Sequence, residues 1–287
     1  MPKIEFLSLY IGRRKNMDTK TKSWDELTFA DNFLFCKILE SEPEICRQLI
    51  ELLLDIKIDH LEIPHSEKTM RELPGAKGVR FDVYTKDDNR IFDLEIQTTD
   101  TKNLPERTRY YQSIIDMDNL QKGENYKNLK DSYIIFLCLT DIFNKALPVY
   151  HFENLCLQDK GIKLNDRAYK VFFNAESCDK MKDGRKRDFF KFLKGEKAVS
   201  GFVKSLEEKV EFAKKNMEWR RNYMTWEQEI LYQRSEAFEE GAQQTAIANA
   251  KNALAIGLNA EQVSQITKLP LEQVLALKEE VTLQTEN

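Results

Sequence analysis

Glycine is scarce in this chain, 10 among 287 residues, and none falls into a G-x-x-x-x-G-K-[ST], G-x-G-x-x-G or G-x-S-x-G pattern. A backbone cradle for phosphate and a nucleophile elbow are therefore not expected. Histidine is scarcer still. His60, His65 and His151 have no second His or Cys at ligand spacing, so a structural zinc site is not expected either. The five cysteines form no C-x-x-C pair, and Cys36, Cys46 and Cys138 sit inside apolar runs, as reduced and buried thiols do. Long apolar runs are missing too. The longest uncharged one, Ser132 to Thr140, is far too short to cross a bilayer, so no membrane is expected. The first residues, MPKIEFLSLYIGRRKN, carry their charges after a short apolar stretch, the reverse of a secretory signal. A cytoplasmic protein is the expectation.

Charge and aromatic side chains are abundant. Charged residues make up 32% of the chain, with 44 Lys+Arg against 48 Asp+Glu, and hydrophobic residues 41%, with 17 Phe and 10 Tyr. That is enough apolar material for a core under a charged surface, in one or two domains. With glycine loops and histidine clusters missing, carboxylates are the groups left to do chemistry.

Apolar residues recur at helical spacing from Leu27 to Leu54, interrupted at Pro43, which predicts two helices with Pro43 in the first turn of the second. Extended segments are predicted at Val79–Thr85, Ile91–Gln97, Ser132–Leu139, Val149–Phe152 and Tyr169–Asn174, with a helix over Leu104–Leu120 between the second and third. This order predicts an α/β fold with a mixed sheet. After about Asp179 the pattern is mainly helical. Residues 179–222 carry 14 Lys/Arg and 8 Asp/Glu, and residues 240–287 carry 3 and 6. The first stretch, above all Lys180 to Arg187, suits contact with phosphates or simple solvation, whereas the acidic tail would be repelled.

The chemistry concentrates in Gly78–Thr85 and Ile91–Gln97. Alternation puts Val79, Phe81 and Val83 on one face and Arg80, Asp82 and Tyr84 on the other. On the second strand Phe92, Leu94 and Ile96 oppose Asp93, Glu95 and Gln97. A two-residue turn at Asp88-Asn89, both tolerant of the left-handed conformation, pairs Asp82 with Glu95, Tyr84 with Asp93 and Arg80 with Gln97. Carboxylates directly opposed at about 4.5–5.5 Å repel, and a divalent cation between Asp82 and Glu95 turns that repulsion into ligation. The same pattern also suits a solvent-facing strand pair whose acids cluster by coincidence.

The string GVRFDVYTKDDNRIFDLEIQ resembles the central motif of the PD-(D/E)XK nuclease family transposases, also described as recombination-promoting nucleases. The resemblance extends through SWDELTFADNFLFCKIL, EICRQLIELLLDIKI, LPERTRYYQSIIDMDNLQKGENYKNL and DSYIIFLC in family order, from about Ser23 to the region of Arg220. It implies a restriction-endonuclease-like core, a mixed sheet flanked by helices, and Mg²⁺-dependent (or Mn²⁺-dependent) hydrolysis of DNA. It also implies Asp82 and Glu95 as catalytic metal ligands, the Ile96 backbone carbonyl as a further ligand, and Gln97 in the place of the signature lysine. There Gln97 would orient water or the scissile phosphate with a neutral amide rather than a charge. Asp31 in F-x-D-N-x-x-F, or Glu51, offers an additional carboxylate, though an acid at a helix start also suits the helix dipole. Arg107, Arg109, Tyr110 and Tyr111 lie on the following helix, where Arg107 shares a face with Tyr111 and with Tyr110; they would grip a phosphate and brace the site, or serve in packing with a surface ion pair. Asp93 shares the acidic face as a supporting group.

The expected organisation is an extension at 1–22, with Met17 as a candidate start, a nuclease core at 23–178, a basic helical region at 179–239 and a helical tail at 240–287. In the tail, Asn259 caps a helix containing Val263 and Ile266, and Pro270 opens another with Val274 and Leu277. This is helix-turn-helix-like, but its acidity favours oligomerisation or a partner over DNA reading. The function expected is a DNA endonuclease linked to recombination or a mobile element, working as a homodimer if both strands are cut. The alternatives are a DNA- or protein-binding module with a silent site, and a transposase that joins strands.

Overall fold

The computed structural model describes residues 22–70, 78–199 and 201–285, so the extension with its candidate start at Met17 lies outside the described residues. Two helices open the fold, α1 (Asn32–Ser41) and α2 (Pro43–Leu54), with Pro43 in the first turn as expected. A proline there gives up an N–H that has no helical acceptor, so it starts the second helix at little cost. Asp55 ends α2 in the left-handed conformation at φ 56°.

Six strands follow: β1 (His65–Met70), β2 (Val79–Lys86), β3 (Arg90–Gln97), β4 (Asp131–Cys138), β5 (Val149–Phe152) and β6 (Ala168–Asn174). The sheet order is β1-β2-β3-β4-β6-β5. β2 runs antiparallel to both β1 and β3, β3/β4 and β4/β6 are parallel, and β5 runs antiparallel on β6. The mixed α/β sheet expected from the element order is thus present. β1 was not foreseen, because HSEKTM has neither apolar alternation nor β-branched content beyond one threonine. It is an edge strand held by backbone pairing to β2.

The parallel step from β3 to β4 is bridged by α3 (Leu104–Asn119), as such connections require. Its inner face, Leu104, Tyr111, Ile114 and Ile115, joins Phe81, Tyr84, Ile134, Phe136 and Phe172 in one core cluster. On the other side of the sheet the Cys36 thiol of α1 donates to the Asp82 carbonyl at 3.3 Å. There Phe190 of α4 (Gly184–Leu193) stacks on Phe173 at 5.3 Å. With helices on both faces, β4 is buried along Ile134–Cys138, which is why its sequence reads as an unbroken apolar run.

The chain divides into two compact units that meet in sequence between Arg220 and Arg221. The first also contains α5 (Gly201–Lys214). Within the second, α6 (Met217–Ala255) contributes Ala250 to a small core completed by α7 (Ala260–Thr267) and α8 (Leu271–Thr285) through Ala260, Val263, Leu269, Val274 and Leu277. Asn259 caps α7 in a reciprocal box with Gln262, as the sequence suggested. Ile266 is 66% exposed and so stands outside this core. No helix among the described residues is long and apolar enough to cross a membrane.

Candidate active site

β2 and β3 assemble the site where their ladder ends. Paired positions run from Lys86↔Ile91 through Thr85↔Phe92 and Tyr84↔Asp93 to Val83↔Leu94, the register expected from the sequence. The turn that sets it is built differently from expectation. Neither Asp88 nor Asn89 has a positive φ. Instead the Asp87 carboxylate accepts the N–H groups of Asn89 at 3.0 Å and Arg90 at 2.7 Å, an Asx-type closure that removes the need for left-handed residues.

At Asp82 and Glu95 side chains take over from the ladder. Glu95 Oε1 accepts the backbone N–H of Asp82 at 3.0 Å, and Asp82 Oδ2 accepts that of Ile96 at 3.1 Å. Each carboxylate thus sits on the backbone of the opposite strand, not facing its counterpart across a regular pair. One consequence corrects the expected alternation along β2. Phe81 and Tyr84, three residues apart, are in ring contact at 5.4 Å and share the α3-side core. A strand whose ladder bonds are replaced by side chains at one point can turn there, much as at a bulge. Arg80 and Gln97 are not ladder partners: Arg80 pairs with Thr69 on β1 and reaches Glu67 at 3.5 Å.

The acidic face is buried, which overturns the solvent-facing alternative. Asp93 is 0% and Glu95 2% exposed. Burial drives the Asp82 carboxyl above its ordinary range, and it raises Asp93 and Glu95 further, with neighbouring carboxylates adding to the effect. No N–H or O–H donor reaches either Asp93 oxygen. The carboxylates whose effect it feels are those of Asp82 and Glu95.

α3 supplies the opposing charge. Arg107 donates to Glu95 Oε2 at 2.9 Å, to Gln97 Oε1 at 3.1 Å and to the Tyr111 hydroxyl oxygen at 2.9 Å. Its guanidinium also lies over the Tyr111 and Phe136 rings at 5.3 and 5.4 Å. Burial opposes its charge, but Tyr111 and Glu95 more than compensate and raise its pKa. Helical spacing puts Arg107 and Tyr111 together and leaves Arg109 and Tyr110 exposed. The Arg107–Glu95 ion pair is therefore internal, not the surface pair considered from sequence. The Gln97 amide is held at both ends, its oxygen by Arg107 and its nitrogen by the Thr99 carbonyl.

α1 approaches from the other side. Asn32 hydrogen-bonds the Asp82 carboxylate, and its own Oδ1 is buried without a partner. Asn32 and Cys36, both touching Asp82, were not singled out in the sequence; their i, i+4 spacing next to Asp31 was the signal available. Asp31 itself turns back along the chain, accepting from Thr28 N at 2.7 Å and Lys22 Nζ at 2.7 Å. Glu51 accepts the Ile58 N–H at 2.8 Å and pairs with Arg47 at 3.0 Å.

Among the described residues no group of three or more His, Cys, Asp or Glu side chains has metal-site geometry. The donor set nevertheless suits a hard divalent cation. Two buried carboxylates, Asp93 and Glu95, and the half-buried Asp82 cluster with the Arg107 guanidinium, and both Asp93 oxygens lack any donor, so carboxylate oxygen is the ligand type concentrated here. Because the Ile96 N–H points at Asp82, the Ile96 carbonyl faces the same edge. Elsewhere, a cavity of about 690 Å³ near Arg90, Lys130, Asp131 and Arg167 lies at the opposite end of β3 and takes no part in this site. In the basic segment, Lys186 pairs with Asp55 and Arg185 with Asp183, so part of its charge is already matched.

A family model described as PD-(D/E)XK nuclease family transposase matches residues 30–249. No curated protein and no solved structure matches the chain.

Proposed function

The chain belongs to the PD-(D/E)XK nuclease family transposases, and from that membership we propose that it is a cytoplasmic Mg²⁺-dependent DNA endonuclease serving recombination or a mobile element. The observation that carries the reading is the knot of three carboxylates, the buried Asp93 and Glu95 and the half-buried Asp82, with the Arg107 guanidinium paired to Glu95. Such a cluster is costly to ionise unless a further cation joins it.

Asp82, Glu95 and the Ile96 carbonyl would hold the ion, Mg²⁺ or Mn²⁺. A bound divalent cation supplies polarisation of a phosphoryl oxygen and acidification of water. Gln97 orients the attacking water or the phosphate with its remaining amide hydrogen. Arg107 fixes Glu95 and Gln97 relative to one another, and Tyr111 fixes Arg107. Asp93 adds a further carboxylate behind Glu95, and Asp31 anchors the start of α1, from which Asn32 reaches Asp82. Free cysteines throughout fit a reducing compartment.

Cleavage of supercoiled plasmid tests this directly, with Mg²⁺ and with Mn²⁺, for wild type and for Asp82→Ala and Glu95→Ala purified alongside. Wild type is expected to give nicked or linear product, and each variant at least about a hundredfold less. Equal activity in all three would reject the site. DNA bound without cleavage under any metal would favour a binding module instead, and joined ends on paired substrates would favour a transposase.

A further inference from the structure

α6 is 39 residues long, about 58 Å at the α-helical rise. Within it, every described side chain from Leu231 to Thr245 is exposed. A stretch of helix with no buried face is marginal in water, because helices in proteins draw their stability from packing. This stretch is not uniformly polar. Met224, Leu231 and Phe238, 53%, 38% and 61% exposed, recur every seven residues. Arg221, Gln228 and Ser235 fall between them at the alternate spacing of three and four, all exposed. The six positions make one continuous stripe with the heptad period of a left-handed coiled coil.

The charges along the stripe select its partner. The N-terminal end of this segment carries Arg220 and Arg221, and the C-terminal end carries Glu236, Glu239 and Glu240 against one arginine, Arg234. A parallel pair of such helices would set arginine on arginine and glutamates on glutamates. An antiparallel pair related by a two-fold axis sets each Arg221 beside the partner's Glu239 and Glu240. In the register that does this, Phe238 meets the partner's Arg221, Met224 meets the partner's Ser235 and Leu231 meets the partner's Gln228. Each large side chain then faces a polar, small or cationic one, and Arg221 can also stack on the partner's Phe238 ring. We propose that α6 is a homodimerisation helix, joining two copies of this chain as an antiparallel coiled coil through the Arg221–Phe238 stripe. The interface is isologous, so it closes at two copies.

Sedimentation equilibrium of the full chain at low salt tests the assignment without reference to cleavage. Wild type is expected to weigh twice 33.7 kDa. A Leu231→Glu, Phe238→Glu variant, on exposed positions that leave the helix itself intact by circular dichroism, is expected to be monomeric. Arg221→Glu alone and Glu239→Arg, Glu240→Arg together should each weaken the dimer about tenfold or more, since two symmetric charge contacts change at once. Combining all three charge reversals should restore it to within about threefold of wild type. A monomeric wild type, or a stripe variant as dimeric as wild type, would overturn the interface. Failure of the combined reversal to recover affinity would overturn the antiparallel pairing.

Discussion

Asp93 concentrates the electrostatic tension of the site. It is fully buried, no donor reaches it, and its carboxyl is driven far above its ordinary range by burial and then by Asp82. An acid whose folded pKa is raised binds its proton more tightly in the native state than in the unfolded chain. Its contribution to stability is therefore whole below the unfolded value and is lost as pH rises toward the folded one. Without divalent metal, Asp93→Asn should be more stable than wild type at neutral pH, by more than about 1 kcal/mol, and the gain should shrink toward pH 4. Urea unfolding of both proteins across that range, in chelator, checks it. A pH-independent difference would mean that Asp93 is not ionised by force. Arg107 restrains the same cluster through three side chains, which is why one guanidinium can keep Glu95 and Gln97 in fixed relation.

Among the elements, the β2–β3 hairpin carries most of the consequence. Its turn depends on Asp87, 7% exposed, whose carboxylate binds the N–H groups of Asn89 and Arg90 and the Arg90 guanidinium at 2.6 Å. Asp87→Ala strips all three bonds and should destabilise the protein by about 2 kcal/mol. Because the turn lies at the far end of β3 from Gln97, plasmid cleavage by the folded variant should stay near wild type. A large loss of cleavage with unchanged stability would show that the register, not the turn's own energy, was lost. α3 works as the complementary element: one helical face presents Arg107 and Tyr111 to the carboxylates and Ile114 and Ile115 to the core. Its anchoring in the core is what holds a charged group over buried acids.

For the whole molecule, ligand linkage offers the broadest check. If Asp82 and Glu95 hold a divalent cation, Mg²⁺ at a hundred times its Kd should add about 2.7 kcal/mol to stability, and the thermal midpoint should rise accordingly. Asp82→Asn and Glu95→Gln should abolish that rise while remaining folded. An equal rise in both variants would move the ion elsewhere. The two units also divide the chain by charge. The strongly basic stretch lies in the first and the acidic helices α7 and α8 lie in the second, so any phosphate contact belongs to the first.

Much of this was legible in the one-dimensional pattern. Apolar periodicity located α1, α2, α3 and five of six strands, and the two-residue turn at Asp88-Asn89 gave the register that brings Asp82 near Glu95. Periodicity works there because those elements each bury one face, and burial writes itself into every second or every third and fourth residue. β1 escaped because HSEKTM, unlike the other edge strand β5 with Val149, Tyr150 and Phe152, carries no apolar pattern and is held by backbone bonds alone. The crosswise bonding of Asp82 and Glu95, the approach of Asn32 and the enclosure of the acidic face beneath Arg107 escaped for a related reason. They depend on residues 32, 82, 95 and 107 meeting in space. The alternation of a strand says which side a carboxylate faces, and only the packing of α1 and α3 against the sheet says whether that side is water or protein.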